Sequence, residues 1–351
     1  MTSAAQTSER VDFDLSALRD HLAGHVEGLA TMLQARRFAG GQSNPTYLLQ
    51  AGDARYVLRK KPAGTLLPSA HAVDREYRII RALHGSGVPV ARPVCLCEDA
   101  SVIGTPFYVM DFVDGRIFWD PTLPELSRGE RGALYDDMNR VIATLHRLDP
   151  DAVGLEGYGR RGEFLQRQIG RWSKQYQASE TVPIEAMHRL IDWLPPRIPA
   201  TQGHGIVHGD LRLDNLIFHK TEPRVVAVLD WELSTLGDPL ADFGYHMLTW
   251  HLTGQQFRGM AGADLAALGI PGEAGYVQRW CERTGQPPVA RETWDFYLIY
   301  NLFRLAGILQ GIAKRAEDGT AANADARETG ARARPVAELA WQMARERLGA
   351  R

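Results

Sequence analysis

Gly205-Ile206-Val207-His208-Gly209-Asp210-Leu211-Arg212-Leu213-Asp214-Asn215-Leu216-Ile217-Phe218, followed by Val225-Val226-Ala227-Val228-Leu229-Asp230-Trp231-Glu232, are the stretches on which the fold and chemistry of this chain turn. An apolar lead-in delivers His208 and Asp210. Four residues separate Asp210 from Asn215, and an apolar, β-rich run ends abruptly in Asp230.

Phosphoryl transfer needs a carboxylate beside the attacking hydroxyl and oxygen ligands that hold Mg²⁺ against nucleotide phosphates. Asp210 suits the first role. Asn215 and Asp230 suit the second, because Mg²⁺ takes one or two protein oxygens together with phosphate and water rather than a full protein cage. Arg212, two residues after Asp210, stands where a cation would neutralise charge on the moving group.

The order H-x-D-x-x-x-x-N, strand, D is that of the protein-kinase catalytic loop and its metal-binding Asp. Gly209 stands in place of the kinase Arg, and Asp230-Trp231-Glu232 in place of Asp-Phe-Gly. With these departures the chain resembles the aminoglycoside phosphotransferase family, which includes choline kinase relatives. Through Leu229-Asp230-Trp231-Glu232-Leu233-Ser234-Thr235-Leu236-Gly237-Asp238-Pro239 it is most similar to the phosphotransferase domain fused to acyl-CoA dehydrogenases in some animal proteins. The resemblance covers about residues 30 to 315. It implies an α+β, protein-kinase-like two-lobed fold: a mostly antiparallel sheet lobe at residues 1–113, then a larger helical lobe at 114–351. It further implies ATP, with GTP open, and Mg²⁺ as cofactors, and a small-molecule hydroxyl acceptor.

Upstream, Met32 to Ala39, Thr46 to Gln50 and Tyr56 to Lys60 read as strands. The turn Gly40-Gly41-Gln42-Ser43-Asn44 falls where a kinase-like sheet folds a loop over the phosphates, with Ser43 and Asn44 as donors; taken alone it is a Gly-Gly hairpin turn. Period-two alternation makes Arg59 and Lys60 mutually exclusive for the cleft face. By resemblance the phosphate-holding position falls on Arg59, with Lys60 as the fallback. Glu76, on a helix at about 70–84, is the matching carboxylate that would fix the strand cation. Phe107 to Gly115 looks like the hinge. Met110 takes the gatekeeper position, and main-chain groups of Asp111 and Val113 would face the adenine edge.

From Leu126 onward the spacing is helical: Leu134 to Leu148, Phe164 to Gln177 and Ile184 to Leu194. Gly157, Gly159 and Gly162 satisfy G-x-G-x-x-G, but no strand or βαβ unit surrounds them, so they read as a flexible turn. His204 and His208, four apart, would make a metal pair only on a helix, and the flanking glycines argue against one. His208 instead reads as a brace under the loop. After Asp230 only a few residues precede the next helix, at about 237–252, leaving no room for a protein kinase's activation segment. Asp238 and Asp242 therefore read as helix-start and brace carboxylates. The segment Trp294 to Arg315 is apolar on nearly all sides and belongs in the centre of the second lobe. Its Asn301 and Arg304 are either satisfied internally or face the acceptor, with Tyr245, His246 and Tyr300 as further pocket candidates. Ala316 to Arg334 reads as a loop, and Val336 to Leu348 as a last helix.

The chain has 351 residues, 44% of them hydrophobic and 23% charged, with a net charge of −2. This balance carries no bias toward nucleic acid or anionic membrane. Three cysteines, Cys95, Cys97 and Cys281, supply neither a disulfide framework nor a zinc set by their spacing, and a reducing cytoplasm is the expected home. No run approaches a membrane span. Two rival functions stand beside a small-molecule kinase: a catalytically silent nucleotide-binding module and a protein kinase. As acceptors, aminoglycosides and choline are cations, whereas residues 301–351 hold nine Lys and Arg against six Asp and Glu. The dehydrogenase-fused relatives imply instead a hydroxyacyl-CoA or related hydroxy acid derivative.

Overall fold

The computed structural model describes residues 7–8, 11–26, 33–38, 44–62, 71–321 and 325–350. The chain forms two compact units, one of Met1–Arg116, Val153–Leu155 and Leu216–Ser234, the other of Ile117–Ala152, Glu156–Asn215 and Thr235–Arg351.

The first unit carries β1 (Thr7–Ser8), α1 (Leu15–Leu22), β2 (Gln34–Phe38), β3 (Thr46–Ala51), β4 (Ala54–Lys60), α2 (Val73–Leu83), β5 (Pro93–Cys97) and β6 (Phe107–Asp111). The six strands form one antiparallel sheet in the order β1-β2-β3-β4-β6-β5. Asp14 caps α1 by accepting from the amides of Ser16 and Ala17, the usual way a carboxylate satisfies the orphan donors of a first turn. The apolar side of α1, Leu18 and Leu22, seals a core with Tyr47, Leu49, Leu58, Phe107 and Val109. On β4, Tyr56, Leu58 and Lys60 share one face and Val57 and Arg59 the other, as a pleated strand requires. Along α2, Val73, Glu76, Ile79, Ile80 and Leu83 are buried. That is a helix stripe of three- and four-residue steps in which one member is a carboxylate, and a buried carboxylate demands partners.

In the second unit the chain runs through α3 (Arg128–Arg147), α4 (Phe164–Ser179), α5 (Glu185–Trp193) and β7 (Gly205–Val207). It then supplies β8 (Leu216–Phe218) and β9 (Val225–Val228), an antiparallel hairpin of the first unit. Back in the second unit follow β10 (Thr235–Gly237), α6 (Pro239–His246), α7 (Gly254–Phe257), α8 (Leu265–Leu268), α9 (Glu273–Thr284), α10 (Arg291–Glu317), α11 (Ala326–Ala331) and α12 (Ala333–Leu348). The pairing of β10 with β7, Leu236 opposite Ile206, sets the start of α6 beside the loop after β7. A capping box of Ser127 and Glu130 starts α3.

The long helix α10 has the length and composition of a membrane span, yet 83% of its apolar window is buried inside the protein. It is the core helix of its unit, against α4, α6 and α12. Phe243 stacks on Trp280 at 4.7 Å within an aromatic group that includes Tyr276 and Trp294. The expected loop at 316–334 contains a helix, α11, and the expected helix at 237–252 changes into a 3-10 turn at Met247–Trp250. Gly157 and Gly162 have positive φ in a turn, and a Cβ on Gly159 would meet the Leu236 amide at 2.6 Å. These glycines thus serve turn geometry and close packing against β10.

Candidate functional site

The sequence-singled residues form two separate charged clusters, one in each unit.

In the first, Arg59 leaves β4 on the face opposite Lys60 and lies 3.2 Å from Glu76, 3.8 Å from Asp230 and 3.7 Å from Glu232. Lys60 is tied elsewhere, 2.9 Å from Asp12, whose other oxygen accepts from Tyr47 at 2.6 Å. Alternation thus separates the two cations, and it is Arg59 that meets Glu76. Glu76 is almost fully buried and accepts from the Asn44 amide at 2.6 Å and the Tyr108 hydroxyl at 2.9 Å. Asn44 in turn lies 3.1 Å from the His71 ring. Burial pushes Glu76 upward, against Arg59 and its two hydrogen bonds. Burial also works against the Arg59 charge, but Tyr108 and the three carboxylates overcome it and hold that guanidinium above its usual range. Asp230 ends the β9 run in a left-handed conformation, φ 64°, which a short polar side chain tolerates better than most. Glu232 follows in a 3-10 turn, Trp231–Leu233, which brings its carboxylate back to the same guanidinium.

Ser43 lies outside the described residues, and of its turn Asn44 alone is described. Met110 is buried on β6, opposite Val57. The Asp111 amide donates to the Arg92 carbonyl at 2.9 Å and its carboxylate pairs with the Arg92 guanidinium at 2.8 Å. Any contact of Asp111 with a base edge therefore falls to its carbonyl. Val113 follows this strand as irregular chain.

In the second cluster, β7 ends at Val207 and the loop turns through Gly209, whose φ of 89° suits glycine and would strain the Arg of protein kinases. Asp242, fully buried on α6, accepts from the amides of His208 at 2.8 Å and Gly209 at 2.9 Å and lies 3.1 Å from His146 Nε2. Burial alone would raise Asp242, but these partners hold it below the usual carboxylate range. His208 Nδ1 accepts from the Asp210 amide at 3.1 Å. His204 is exposed while His208 is buried, so the two do not pair. Asp238 caps α6 by accepting from the Leu240 amide and receives the Tyr297 hydroxyl. The helix-start and brace roles of Asp238 and Asp242 are what the structure has.

Asp210 accepts from Arg212 Nη2 at 3.0 Å and from the Asn215 amide at 3.0 Å, and its other oxygen lies 3.0 Å from Arg212 Nε as an ion pair without hydrogen-bond geometry. Asn215 also donates to the Asp210 carbonyl at 2.8 Å. Because its nitrogen is engaged, the Asn215 oxygen is the atom it can offer a metal. The Tyr245 hydroxyl completes the set on the Asp210 carboxylate. Burial drives Asp210 up, and the charges of Arg212, Arg304 and His208 with the Tyr245 hydrogen bond more than reverse it, leaving a carboxylate below the usual range. Arg304 donates to the Gly209 carbonyl and stacks on the Tyr245 ring at 4.5 Å, and Asn301 donates to the carbonyls of Ala241 and Tyr297. Arg304 and the Asn301 nitrogen are thus engaged within the protein, whereas Asn301 Oδ1 is buried without a partner, and Arg304 bears on Asp210 through charge.

Beside this loop lies a small, open recess lined by Trp119, Arg212, Asp214, Tyr245, Phe257 and Arg258. Asp214 pairs with Arg258 and lies 3.6 Å from Arg212. The Arg258 guanidinium stacks over Trp119 at 4.6 Å, and Trp119 is 61% exposed. Glu232, Asp214, Arg258 and Trp119 escaped sequence reasoning. Glu232 alone carried a local signal, standing two residues after Asp230.

The model of the phosphotransferase enzyme family matches residues 34–279. The chain belongs to this family. The crystal structure of a Ralstonia eutropha protein described as a candidate aminoglycoside phosphotransferase is 54% identical, with a TM-score of 0.87 over 95% of this chain and 99% of that one. Acyl-CoA dehydrogenase family member 10 of Mus musculus is 48% identical over 93% of this chain and 30% of its own length. Choline kinase from Cryptosporidium parvum shares the fold at a TM-score of 0.67 with 11% identity, over 95% of this chain and 96% of that one. The chain spans less than half the length of the curated relatives it matches. The phosphotransferase therefore has the kinase-like fold that its catalytic-loop spacing implies, and membership in the family supports small-molecule kinase activity.

Proposed function

We propose that this phosphotransferase moves the γ-phosphoryl group of ATP to a hydroxyl of a small molecule, and that the acceptor is a hydroxyacyl-CoA or a related hydroxy acid derivative. Kinases of the family use a nucleotide triphosphate and a divalent metal. The donor set fits such a metal. Asp230 and the oxygen of Asn215 are hard oxygen donors, and around Arg59 the carboxylates Glu76, Asp230 and Glu232 outnumber the guanidinium by two. When bound, Mg²⁺ neutralises charge on the phosphates during transfer.

In this assignment Arg59, anchored by Glu76, holds the α- and β-phosphates, and Asp230 and Asn215 are the metal ligands. The Asp111 carbonyl and the Val113 main chain meet the adenine, with Met110 behind it, and Ser43 and Asn44 belong to the phosphate loop. Asp210 orients the acceptor hydroxyl and takes its proton as the O–P bond forms. Arg212, ion-paired with Asp210, keeps that group ionised and adds positive charge near the transferred phosphoryl.

The setting of Asp210 carries the proposal: a carboxylate held ionised by cations and a hydroxyl, two of whose partners, Arg212 and Tyr245, line an open recess. A silent nucleotide-binding module would have no use for it. The acceptor side is proposed to take an anion because two guanidinium groups, Arg212 and Arg258, line the recess, where Asp214 is the one carboxylate among the lining residues. The three free cysteines fit a reducing cytoplasm.

The test is incubation of the chain with Mg-ATP and a panel of hydroxyacyl-CoAs, aminoglycosides and choline, read by mass for the gain of one phosphate. Phosphate on a hydroxyacyl-CoA supports the proposal. Phosphate on an aminoglycoside alone overturns the acceptor class, and none on any compound, with ATP bound, favours the silent module.

A further inference from the structure

A second cluster of ligand-type side chains lies in the first unit, apart from the residues discussed so far. His21 stands on the last turn of α1, and the amides of His25 and Val26 both donate to the Leu22 carbonyl at 2.9 Å, continuing the turn. Residues four apart on such a turn project to one side, and the two imidazole rings lie 5.0 Å apart. That side meets Cys95, buried at 3% exposure on β5, the edge strand of the sheet. One ring nitrogen from each histidine and the Cys95 sulfur all lie within 4.8 Å of one another. The His21 Nε2 is buried without a hydrogen-bond partner, although its ring packs edge-on to Phe107 at 5.6 Å.

We propose that His21, His25 and Cys95 form a binding site for a thiophilic cation, zinc(II) in the first instance. The donor set is two imidazoles and one thiolate, the mixture that zinc and copper prefer and that magnesium and calcium avoid. A tetrahedral zinc ion needs its ligand atoms about 3.3–3.6 Å apart, so the three groups must close by roughly 1 Å. His25 is exposed and has room for that rotamer adjustment. Its exposure also admits a water molecule to the fourth position. Binding gives a ring nitrogen of His21 a partner and displaces the Cys95 proton to solvent. The ion then joins α1 to the edge of the sheet, two elements otherwise held together by apolar contacts such as Leu18 and Leu22. Cysteine spacing alone does not reveal such a set, because its histidines and its thiol come from a helix and a strand some seventy residues apart.

The test uses the full chain, stripped with a chelator and titrated with zinc(II) against a chromophoric competitor, and separately with cobalt(II). One equivalent of zinc, a thiolate-to-cobalt charge-transfer band in the near ultraviolet and a raised melting temperature are expected. His25→Gln, at an exposed position, should weaken zinc at least a hundredfold and lose the band, while Cys97→Ser behaves as the unaltered chain. Cys95→Ser should abolish the band; if that variant does not fold, His25→Gln with the cobalt spectrum decides. A spectrum without a thiolate band, or zinc affinity unchanged in His25→Gln, overturns the site.

Discussion

Around Arg59 one cation is ringed by three carboxylates; around Asp210 one carboxylate is ringed by Arg212, Arg304 and a tyrosine hydroxyl. The two clusters are built on inverted plans, and the inversion indicates what each lacks. In the first, Glu76 sits at the base with 1% of its side chain exposed, while Asp230 at 36% and Glu232 at 27% form the rim. A rim on which two carboxylates face one guanidinium attracts a cation. In the second the plan is reversed: Asp210 is held by Arg212 and Arg304, and Asp214 by Arg258 and Arg212, so each carboxylate has guanidinium partners. Neither cluster is a simple ion pair whose function is stability, since buried pairs return little net energy against their desolvation. Their value lies in charge held in place before the reaction begins.

The sharpest way to break this division of labour is to remove the central carboxylate of one cluster and the rim carboxylate of the other. Asp210→Ala should lower turnover by about three to four orders of magnitude, the scale of a positioned base, while Mg-ATP affinity stays near that of the parent. Asp230→Ala should instead weaken Mg-ATP itself, by about a hundredfold, or roughly 2.7 kcal/mol. Single-turnover rates and nucleotide binding measured on both variants separate the two outcomes. Equal, mild losses from the two substitutions would mean that the clusters do not divide the work as proposed.

Much of this division is legible in the chain itself, for local reasons. His208, Asp210 and Asn215 lie within one turn between short strands, so their spacing survives whatever packs around them. The opposite faces of Arg59 and Lys60 follow from the pleat, although two adjacent cations look alike until Asp12 and Glu76 are seen to claim one each. Tyr245 and Arg304 are another matter. They reach the Asp210 loop from α6 and α10, and only helix packing decides which side chain of an apolar helix arrives there. The pairing of β7 with β10 is hidden because three residues are too few to display a period. Helices α9 and α11 are short and amphipathic or rich in Ala and Gly, and a polar sequence of that kind resembles a loop.

A smaller effect tests the base of the first cluster. Glu76→Gln removes the buried charge that orients Arg59 and keeps a side chain of the same shape. The guanidinium is then drawn toward Asp230 and Glu232, the carboxylates assigned to the metal side. About a tenfold rise in KM for ATP is expected, on the order of 1.4 kcal/mol, with a smaller change in kcat. Chemical denaturation of the same variant should show a loss of about 3 kcal/mol, as for other buried pairs that lose one partner. A stable variant with unchanged KM would leave Glu76 as a structural residue only.

The smallest effect is a displacement in pH. In the folded chain Asp210 ionises below the ordinary carboxylate range, because burial is outweighed by Arg212, Arg304, His208 and the Tyr245 hydrogen bond. The acid limb of kcat/KM therefore lies below the range of an ordinary aspartate in the parent, and activity is flat through neutral pH. Tyr245→Phe deletes a donor that stabilises the carboxylate and not the acid, so the pKa of Asp210 rises and the limb moves to higher pH. Arg304→Met should move it the same way, since a cation is lost beside the same group. Well above the limb both variants have Asp210 ionised and recover most of the parent rate, whereas on the limb itself they fall behind it. Glu76→Gln supplies the control from the other cluster, raising KM for ATP with the limb unmoved. If Tyr245→Phe lowers the rate equally at every pH, the hydroxyl acts by shaping the recess, and the ionisation that limits the reaction is not that of Asp210.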